Sequence, residues 1–283
     1  RAGKPKRIAV VGAGAAGMNF AFNAAERGHR VTLFEAGPAV GGQLRLARNV
    51  PGKTEFDEML RYFSRRLADE QVDVRLNCTP SAAGLAGGDF DEVVVATGVA
   101  PRALDLPGID LPHVLRYDQA LSGECPVGER VVIIGAGAIA FDMAEFLLGE
   151  APHQPPRLDA FAHEYGLDLS AATPGGRIGH PAALPARRQV TILQRSERRP
   201  GATLALTTGW IRRDKVLRLG VQILTGMHTR AIDAEGVHVT NQAGEPGTVP
   251  CDTVIVCAGQ EPVRELQAQL HQLAPSLPVH VVG

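Results

Sequence analysis

The sequence predicts an α/β protein in which one strand–glycine turn–helix unit occurs twice. Three observations predict it. Gly12, Gly14 and Gly17 stand between the apolar run Arg7–Val11 and an Ala-rich stretch with helical spacing, Ala15 to Arg27. About 120 residues later a second turn, Gly135-Ala136-Gly137, follows the run Val131–Ile134 and leads into the helical stretch Ile139 to Leu148. The run Cys257-Ala258-Gly259 repeats the pattern of Ala96-Thr97-Gly98, each after an apolar stretch. Parallel strands joined by helical crossovers account for these features, because strands buried on both faces read as continuous apolar runs. Two Rossmann-like, three-layer nucleotide-binding domains are therefore expected.

The remaining elements follow along the chain. Gly28 stops the first helix, and Val31–Phe34 is the second strand. Phe56, Met59, Leu60, Phe63 and Leu67 recur at helical spacing, and Val93–Val95 reads as a central parallel strand. Gly149 to Arg188 is rich in Pro, Ala and Gly and reads as a long excursion with one short helix near Leu158–Tyr165. Val190–Leu193 resumes the strands, and Trp210 to Leu219 is a helix closed by Gly220. Val237–Val239, Val254–Val256 and Val279–Val282 supply further strands.

Composition excludes several classes. A length of 283 residues allows two ordinary domains. With 45% hydrophobic residues, 21% charged residues and a net charge of -1, the chain is not a general polyanion binder, so no nucleic-acid partner is expected. No apolar run is long enough to span a bilayer, so no membrane partner is expected. The basic start, Arg1 to Arg7, leads into an apolar run that breaks at Gly12, which fits a strand and turn and not a signal peptide. No initiator Met is present, so the chain is expected to be a piece of a longer protein or one whose start has been removed. Cys78, Cys125, Cys251 and Cys257 lack the spacing of a redox dithiol, a metal knuckle or a four-cysteine iron–sulfur site. Free, mostly buried thiols in the cytoplasm are expected, and the enzymes that reduce disulfides through a cysteine pair beside a flavin are excluded. His29, His113, His163 and His180 show no metal-ligand spacing.

The chemistry lies in the two turns. In the first, Gly12 permits a tight bend, Gly14 lets a diphosphate approach the backbone, and Gly17 lets helix and strand pack closely. The diphosphate then meets the free N–H groups at the start of the helix. Glu35 stands at the tip of the second strand, roughly 20 residues on, where a carboxylate accepts ribose hydroxyls and repels a 2′-phosphate. In the second turn Ala140 replaces the third glycine, and the strand tip is the uncharged Gln194, followed by Arg195, Arg198 and Arg199. Lost negative charge with added guanidinium groups suits a 2′-phosphate. The first site should prefer FAD or NAD, and the second NADPH over NADH. Gly41-Gly42-Gln43 reads from the residues alone as a loop or as a second close approach to ligand.

Longer runs carry a resemblance: Lys4 to Gly14, Gly41-Gly42-Gln43, Pro51-Gly52-Lys53 with Phe56, Ala96-Thr97-Gly98, Leu193-Gln194-Arg195, Thr207 to Arg212, and Cys257 to Pro262. Across essentially its whole length the chain resembles the C-terminal half of bacterial NADPH-dependent 2,4-dienoyl-CoA reductases, within the old-yellow-enzyme-like flavoproteins that include trimethylamine dehydrogenase. The resemblance implies hydride transfer from NADPH to FAD here, then single electrons through a 4Fe–4S cluster to FMN in an N-terminal barrel, which reduces the thioester. The barrel, its FMN site, its proton donor and the cluster cysteines are absent from this sequence. The family continues past the last strand with Gly-Gly-Cys-Asp and a helix that contact the flavin, whereas the sequence stops at Gly283, so weaker FAD retention is expected.

The resemblance and the Ala-Gly repeat together imply a discontinuous plan: residues 1–125 and 252–283 as the FAD domain, with 126–251 inserted as the NADPH domain and the excursion at 149–188. It further implies that Ala15, Ala16, Ala36, Gly42, Gln43, Lys53, Ala96, Thr97 and Gly98 lie with Glu35 and the first turn at FAD. Pro80, where the family usually has valine, would offer its backbone near the adenine. Ala138 and Ile139 belong with the second turn, Arg195, Ser196 and Arg199 hold the 2′-phosphate, and Ala258 and Gly259, in the returning part of the FAD domain, are further cofactor-binding residues. Trp210 lies either near the nicotinamide or packed on the second sheet. No side chain need act as acid, base or nucleophile, because the cofactors perform the chemistry. Two other readings are a related enoate or amine oxidoreductase and a non-catalytic nucleotide-binding or docking domain.

Overall fold

The computed structural model describes residues 2–149, 157–170, 172–178 and 188–283. They form two units: Arg1–Arg48, Lys53–Ala100 and Gln260–Gly283 in one, Asn49–Gly52 and Pro101–Gly259 in the other.

In the first unit, β1 (Arg7–Val11) feeds α1 (Ala15–Glu26) and then β2 (Arg30–Phe34). A short α2 (Leu44–Ala47) and α3 (Glu55–Asp69) lead to β3 (Asp73–Arg75). After α4 (Ala82–Ala86) come β4 (Glu92–Val95) and β5 (Val99–Pro101). The sheet has order β3-β2-β1-β4 and is parallel throughout. Its two faces follow from alternation along the strands. Ile8, Val10, Val31, Leu33 and Val94 bury against Met18, Ala21 and Phe22 of α1 and Leu60, Phe63 and Leu67 of α3. Ala9, Val11, Phe34, Val93 and Val95 bury against Ala82 and Leu85 on the opposite face. Each fully buried Val, Leu, Ile, Phe or Met side chain among them contributes about 1.5–3 kcal/mol.

The second unit repeats the plan. β6 (Val114–Arg116) and α5 (Tyr117–Ser122) precede β7 (Arg130–Ile134) and α6 (Ala138–Leu148). α7 (Leu158–Tyr165), β8 (Gln189–Gln194), α8 (Gly209–Arg218) and β9 (Gln222–Thr225) follow. An antiparallel ribbon of β10 (His228–Ile232), β11 (Gly236–Thr240) and β12 (Pro246–Pro250) precedes β13 (Thr253–Val256). The parallel sheet has order β6-β13-β7-β8-β9. Val132, Ile134, Leu193 and Val254 bury against Ile232, Val237 and Val239 of the ribbon. Val131, Ile133, Ile192 and Ile255 alternate with them and are buried on the other face.

The chain then returns to the first unit. β14 (Gln260–Pro262) pairs with β5, α9 (Glu265–Leu273) places Leu270 beside α4's buried residues, and β15 (Val279–Val281) extends the first sheet beyond β4. The α/β class with parallel sheets is the one expected from the sequence.

The expected boundaries need correction. Residues 101–125 and 252–259, assigned to the first fold, lie in the second unit. The cause is pairing: β13 sits between β6 and β7, with Val254 opposite Val114 and Val132. The Cys257-Ala258-Gly259 run therefore ends the second sheet's own strand. The excursion is described only in part. α7 lies where a helix was expected, while much of 149–188, with His180, falls outside the described residues.

Candidate functional site

Both glycine turns lie where strand order reverses. In the first sheet β1 is flanked by β2 on one side and β4 on the other; in the second, β7 is flanked by β8 and β13. Open α/β sheets bind ligands at the carboxyl ends of strands at such points. Gly12 has φ +105, and a Cβ there would stand 2.3 Å from the Ala96 carbonyl oxygen. Gly135 has φ +107, and its Cβ would stand 2.4 Å from the Cys257 carbonyl oxygen. Each Ala-Gly run thus abuts its own glycine turn: Ala96-Thr97-Gly98 the first, Ala258-Gly259 the second.

The helices that follow are built alike. Gly14 caps α1 and Gly137 caps α6, neither start has a side-chain cap, and neither first turn holds an acid. The N–H groups of Ala15, Ala16 and Gly17, like those of Ala138 and Ile139, lack partners within their helices. Nothing stands within 4 Å of a Cβ built on Gly14 or Gly137. Open space beside unused amides at a helix N-terminus suits a diphosphate, so both turns fit a dinucleotide.

Around the first turn, Glu35 is held by two amides: Ala13 N–H donates to Oε2 and Gly37 N–H to Oε1, both at 2.8 Å. Ala36 lies between those contacts. The glycine pair belongs to the same cluster: Gly41 N–H donates to the Ala13 carbonyl at 2.7 Å, and a Cβ on Gly42 would lie 3.0 Å from the Gly14 Cα. The Gln43 amide donates to the Val99 carbonyl and accepts from Gln260. Thr97 Oγ1 donates to the Val263 carbonyl at 2.6 Å. Lys53 precedes α3 and Pro80 precedes α4. The sequence reading missed Ala13 and Gly37. The glycine two residues beyond Glu35 was the available signal.

Around the second turn, Gln194 ends β8. Its side chain is buried, and its Nε2 donates to the Ser196 carbonyl at 2.8 Å and to the Arg198 carbonyl. It braces the loop from within and leaves Arg195, Ser196 and Arg199 exposed. Glu197 shares that loop but lies against Gly226, with its Cγ 3.4 Å from where a Cβ would stand. Arg102, unmarked in the sequence reading, donates its N–H to the Gly259 carbonyl at 3.0 Å and lays its guanidinium beside Gly259. Trp210 is 66% exposed, which overturns packing on the sheet; its Nε1 donates to the Thr207 carbonyl at 3.1 Å.

All four cysteines are free, and burial pushes the Cys251 thiol up to about 11 and the Cys257 thiol further. Among the described residues no group of His, Cys, Asp or Glu could hold a metal, and no helix is long and apolar enough to cross a membrane.

Comparison with known proteins fits this geometry. The family described as pyridine nucleotide-disulphide oxidoreductase matches residues 6–274, and the chain belongs to it. This is an oxidoreductase family that binds FAD and NAD(P)H. The match covers the nucleotide-binding folds; the dithiol chemistry in the family's description has no cysteine pair here. A metal reductase of Desulforamulus reducens is 31% identical over 94% of this chain and 39% of its own length. A bilirubin reductase of Mediterraneibacter gnavus is 29% identical over 91% of this chain and 34% of its own. A solved complex of 2-naphthoyl-CoA reductase superposes over 100% of this chain and 37% of its own, with a TM-score of 0.79 and 25% identity. The chain spans well under half the length of these relatives.

Proposed function

We propose that this chain is the NADPH-oxidising flavoprotein module of a 2,4-dienoyl-CoA reductase, working in the cytoplasm with an FMN- and 4Fe–4S-bearing barrel half as its partner. The observation that carries the reading is an inversion of charge between equivalent positions. A carboxylate, Glu35, closes the first turn, whereas Gln194 turns inward at the second and leaves arginines facing out.

In this reading FAD occupies the first turn. The amides of Ala15, Ala16 and Gly17 hold its diphosphate, Glu35 and Ala36 its ribose, Pro80 its adenine side, and Gly42, Gln43, Lys53, Ala96, Thr97 and Gly98 the remainder. NADPH occupies the second turn, with Gly135, Gly137, Ala138 and Ile139 at its diphosphate and Ala258 and Gly259 beside it. Arg195, Ser196 and Arg199 take the 2′-phosphate, and Trp210 stands toward the nicotinamide. When bound, the two cofactors supply hydride donation and acceptance. The chain's own task is to bind and orient each of them. No side chain is assigned a proton-transfer role.

The names of the relatives favour a second reading, in which the same module serves a different reduction, as in the metal and bilirubin reductases. The solved neighbour names a CoA substrate, which supports the first. The test is the absorbance of the chain reconstituted with FAD. Bleaching of the flavin bands by NADPH, with little by NADH, is the expected result; equal bleaching by both would remove the basis for NADPH.

A further inference from the structure

Behind the second cradle lies an ion cluster that the nucleotide contacts do not use. α6 is apolar along most of its length, Ala138 to Leu148, yet it carries Asp142 and Glu145. Three residues apart, these acids share one helix face. Glu145 is only 4% exposed. Arg212 of α8 bridges both: its Nε donates to Glu145 Oε1 at 3.0 Å, and its Nη2 pairs with Asp142 Oδ1. A guanidinium grips two carboxylates through a rigid planar fork of donors, which an ammonium on a flexible stem does not offer. Lys215, one turn further along α8, pairs with Glu164 of α7.

The bridge joins two pieces that matter to the second site. α6 is capped by Gly137, the cradle itself. α8 begins at Gly209, next to Trp210. The segment between the arginine loop and α8 touches the same pair of helices at Gly201 and buries Leu204, while Ala202, Thr203 and Ala205 to Thr208 are exposed. Ala202 N–H donates to the Arg199 carbonyl at 3.1 Å, and Gly209 N–H to the Ala205 carbonyl at 2.7 Å. A Cβ on Gly201 would lie 3.3 Å from Phe141 of α6 and 3.6 Å from Arg213 Cδ of α8. Gly201, between Arg199 and Trp210, thus seats the segment on the helix pair that Arg212 clamps.

We propose that Arg212, gripped by Asp142 and Glu145, is a positioning residue for the second nucleotide site: it sets the Arg195–Trp210 segment against the α6 cradle. This rests on the reading of that site as the NADPH site. Arg212 touches no ligand in this scheme; it acts through the segment it holds. A purely structural clamp would lower stability and leave nucleotide selectivity alone. A positioning clamp moves selectivity, because the 2′-phosphate contacts depend on where the loop stands while the diphosphate contacts depend on α6.

The chain contains a single tryptophan, so emission from Trp210 reports on the segment directly. The experiment measures NADPH and NADH affinity by calorimetry, Trp210 emission and melting temperature, on wild type, R212Q, R212K and D142N. Wild type must first bind NADPH more tightly than NADH, with the preference lost in R195Q/R199Q. If it does not, the reading of the site fails, whatever Arg212 does. Given that preference, R212Q is expected to weaken NADPH about tenfold, a change of about 1.4 kcal/mol, to weaken NADH far less, and to shift Trp210 emission. R212K should fall between, because it keeps the charge but loses the bridge. If R212Q does not fold, D142N, which leaves the Glu145 arm in place, should show the same change on a smaller scale. Folded variants with an unchanged NADPH-to-NADH ratio and unchanged emission overturn the proposal, even if their melting temperatures drop.

Discussion

The two glycine turns share one backbone and divide at one side chain. At both, the first glycine sits near φ +105 against the carbonyl of a neighbouring strand's end. At both, the helix starts without a side-chain cap. At the tip of the adjoining strand the two folds part. Glu35 reaches to the glycine turn and is fixed there by two N–H donors, whereas Gln194 reaches back into its own loop and donates to two carbonyls. One fold therefore keeps an acceptor at its cradle. The other keeps the cradle clear and presents cations. A repeated scaffold thus differs in the hydrogen-bond sense of one residue, which accepts at Glu35 and donates at Gln194, and in the proposed reading that difference sets two specificities.

The largest effects should come from the glycines, and they separate fold from ligand. A Cβ on Gly17 would stand 1.9 Å from the Gly12 carbonyl oxygen, a backbone atom that cannot move aside. Gly17→Ala is expected to cost about 3 kcal/mol of unfolding free energy in urea titrations. Gly137→Ala meets nothing within 4 Å and should cost under about 1 kcal/mol while abolishing nucleotide binding at the second turn. Equal destabilisation by the two would show that the third position does not pack the helix as the geometry requires. Ala140, the counterpart of Gly17, is already fully buried with a Cβ, so the second helix must stand further from its strand.

Next comes Glu35→Ala. It removes the acceptor for the Ala13 and Gly37 amides and should cost about 1–3 kcal/mol, with FAD affinity falling in parallel. The reciprocal change is smaller and more selective. Arg195→Gln and Arg199→Gln should each weaken NADPH about tenfold, about 1.4 kcal/mol, and leave NADH unchanged. Loss of affinity for both nucleotides alike would make the loop a general anion site and erase the contrast with the first fold.

Much of this contrast was legible before the structure, for a physical reason. Tight turns demand glycine and parallel strands demand apolar runs, so Gly12, Gly135 and the strands they end announce themselves locally. Pairing across the sheet does not. β13 follows a ribbon whose strands Val237–Val239 only partly revealed, and nothing in Thr253–Val256 states which sheet receives it. The boundary therefore fell in the wrong place. Gln194 shows the same limit at the scale of a side chain: its missing charge was readable, but its inward turn was not, because that depends on the path of the Ser196 and Arg198 carbonyls. Arg102 came to Gly259 through a long-range contact with no motif to mark it. The Asp142 and Glu145 pair had left a trace, as two acids within an apolar helix.

That pair supplies the subtlest test of the comparison. The second fold lacks an acid at its strand tip but holds two behind its cradle. Burial pushes the Glu145 carboxyl above the ordinary carboxylate range; Asp142 adds to the rise, and Arg212 and Lys215 oppose it. A carboxyl raised in the folded state binds its proton more readily than in the unfolded chain. From about pH 4.3 up to the folded value the native state holds more protons, so stability falls as pH rises through that window. The contribution is fully present below the unfolded value and gone above the folded one. Glu145→Gln keeps an oxygen acceptor for Arg212 Nε and removes the titration. Urea unfolding of wild type and E145Q between about pH 4 and 7 should therefore give curves that diverge, with the variant gaining relative stability as pH rises. Parallel curves would mean that the clamp holds Glu145 at its unfolded proton affinity, and that the two folds differ only where ligand binds.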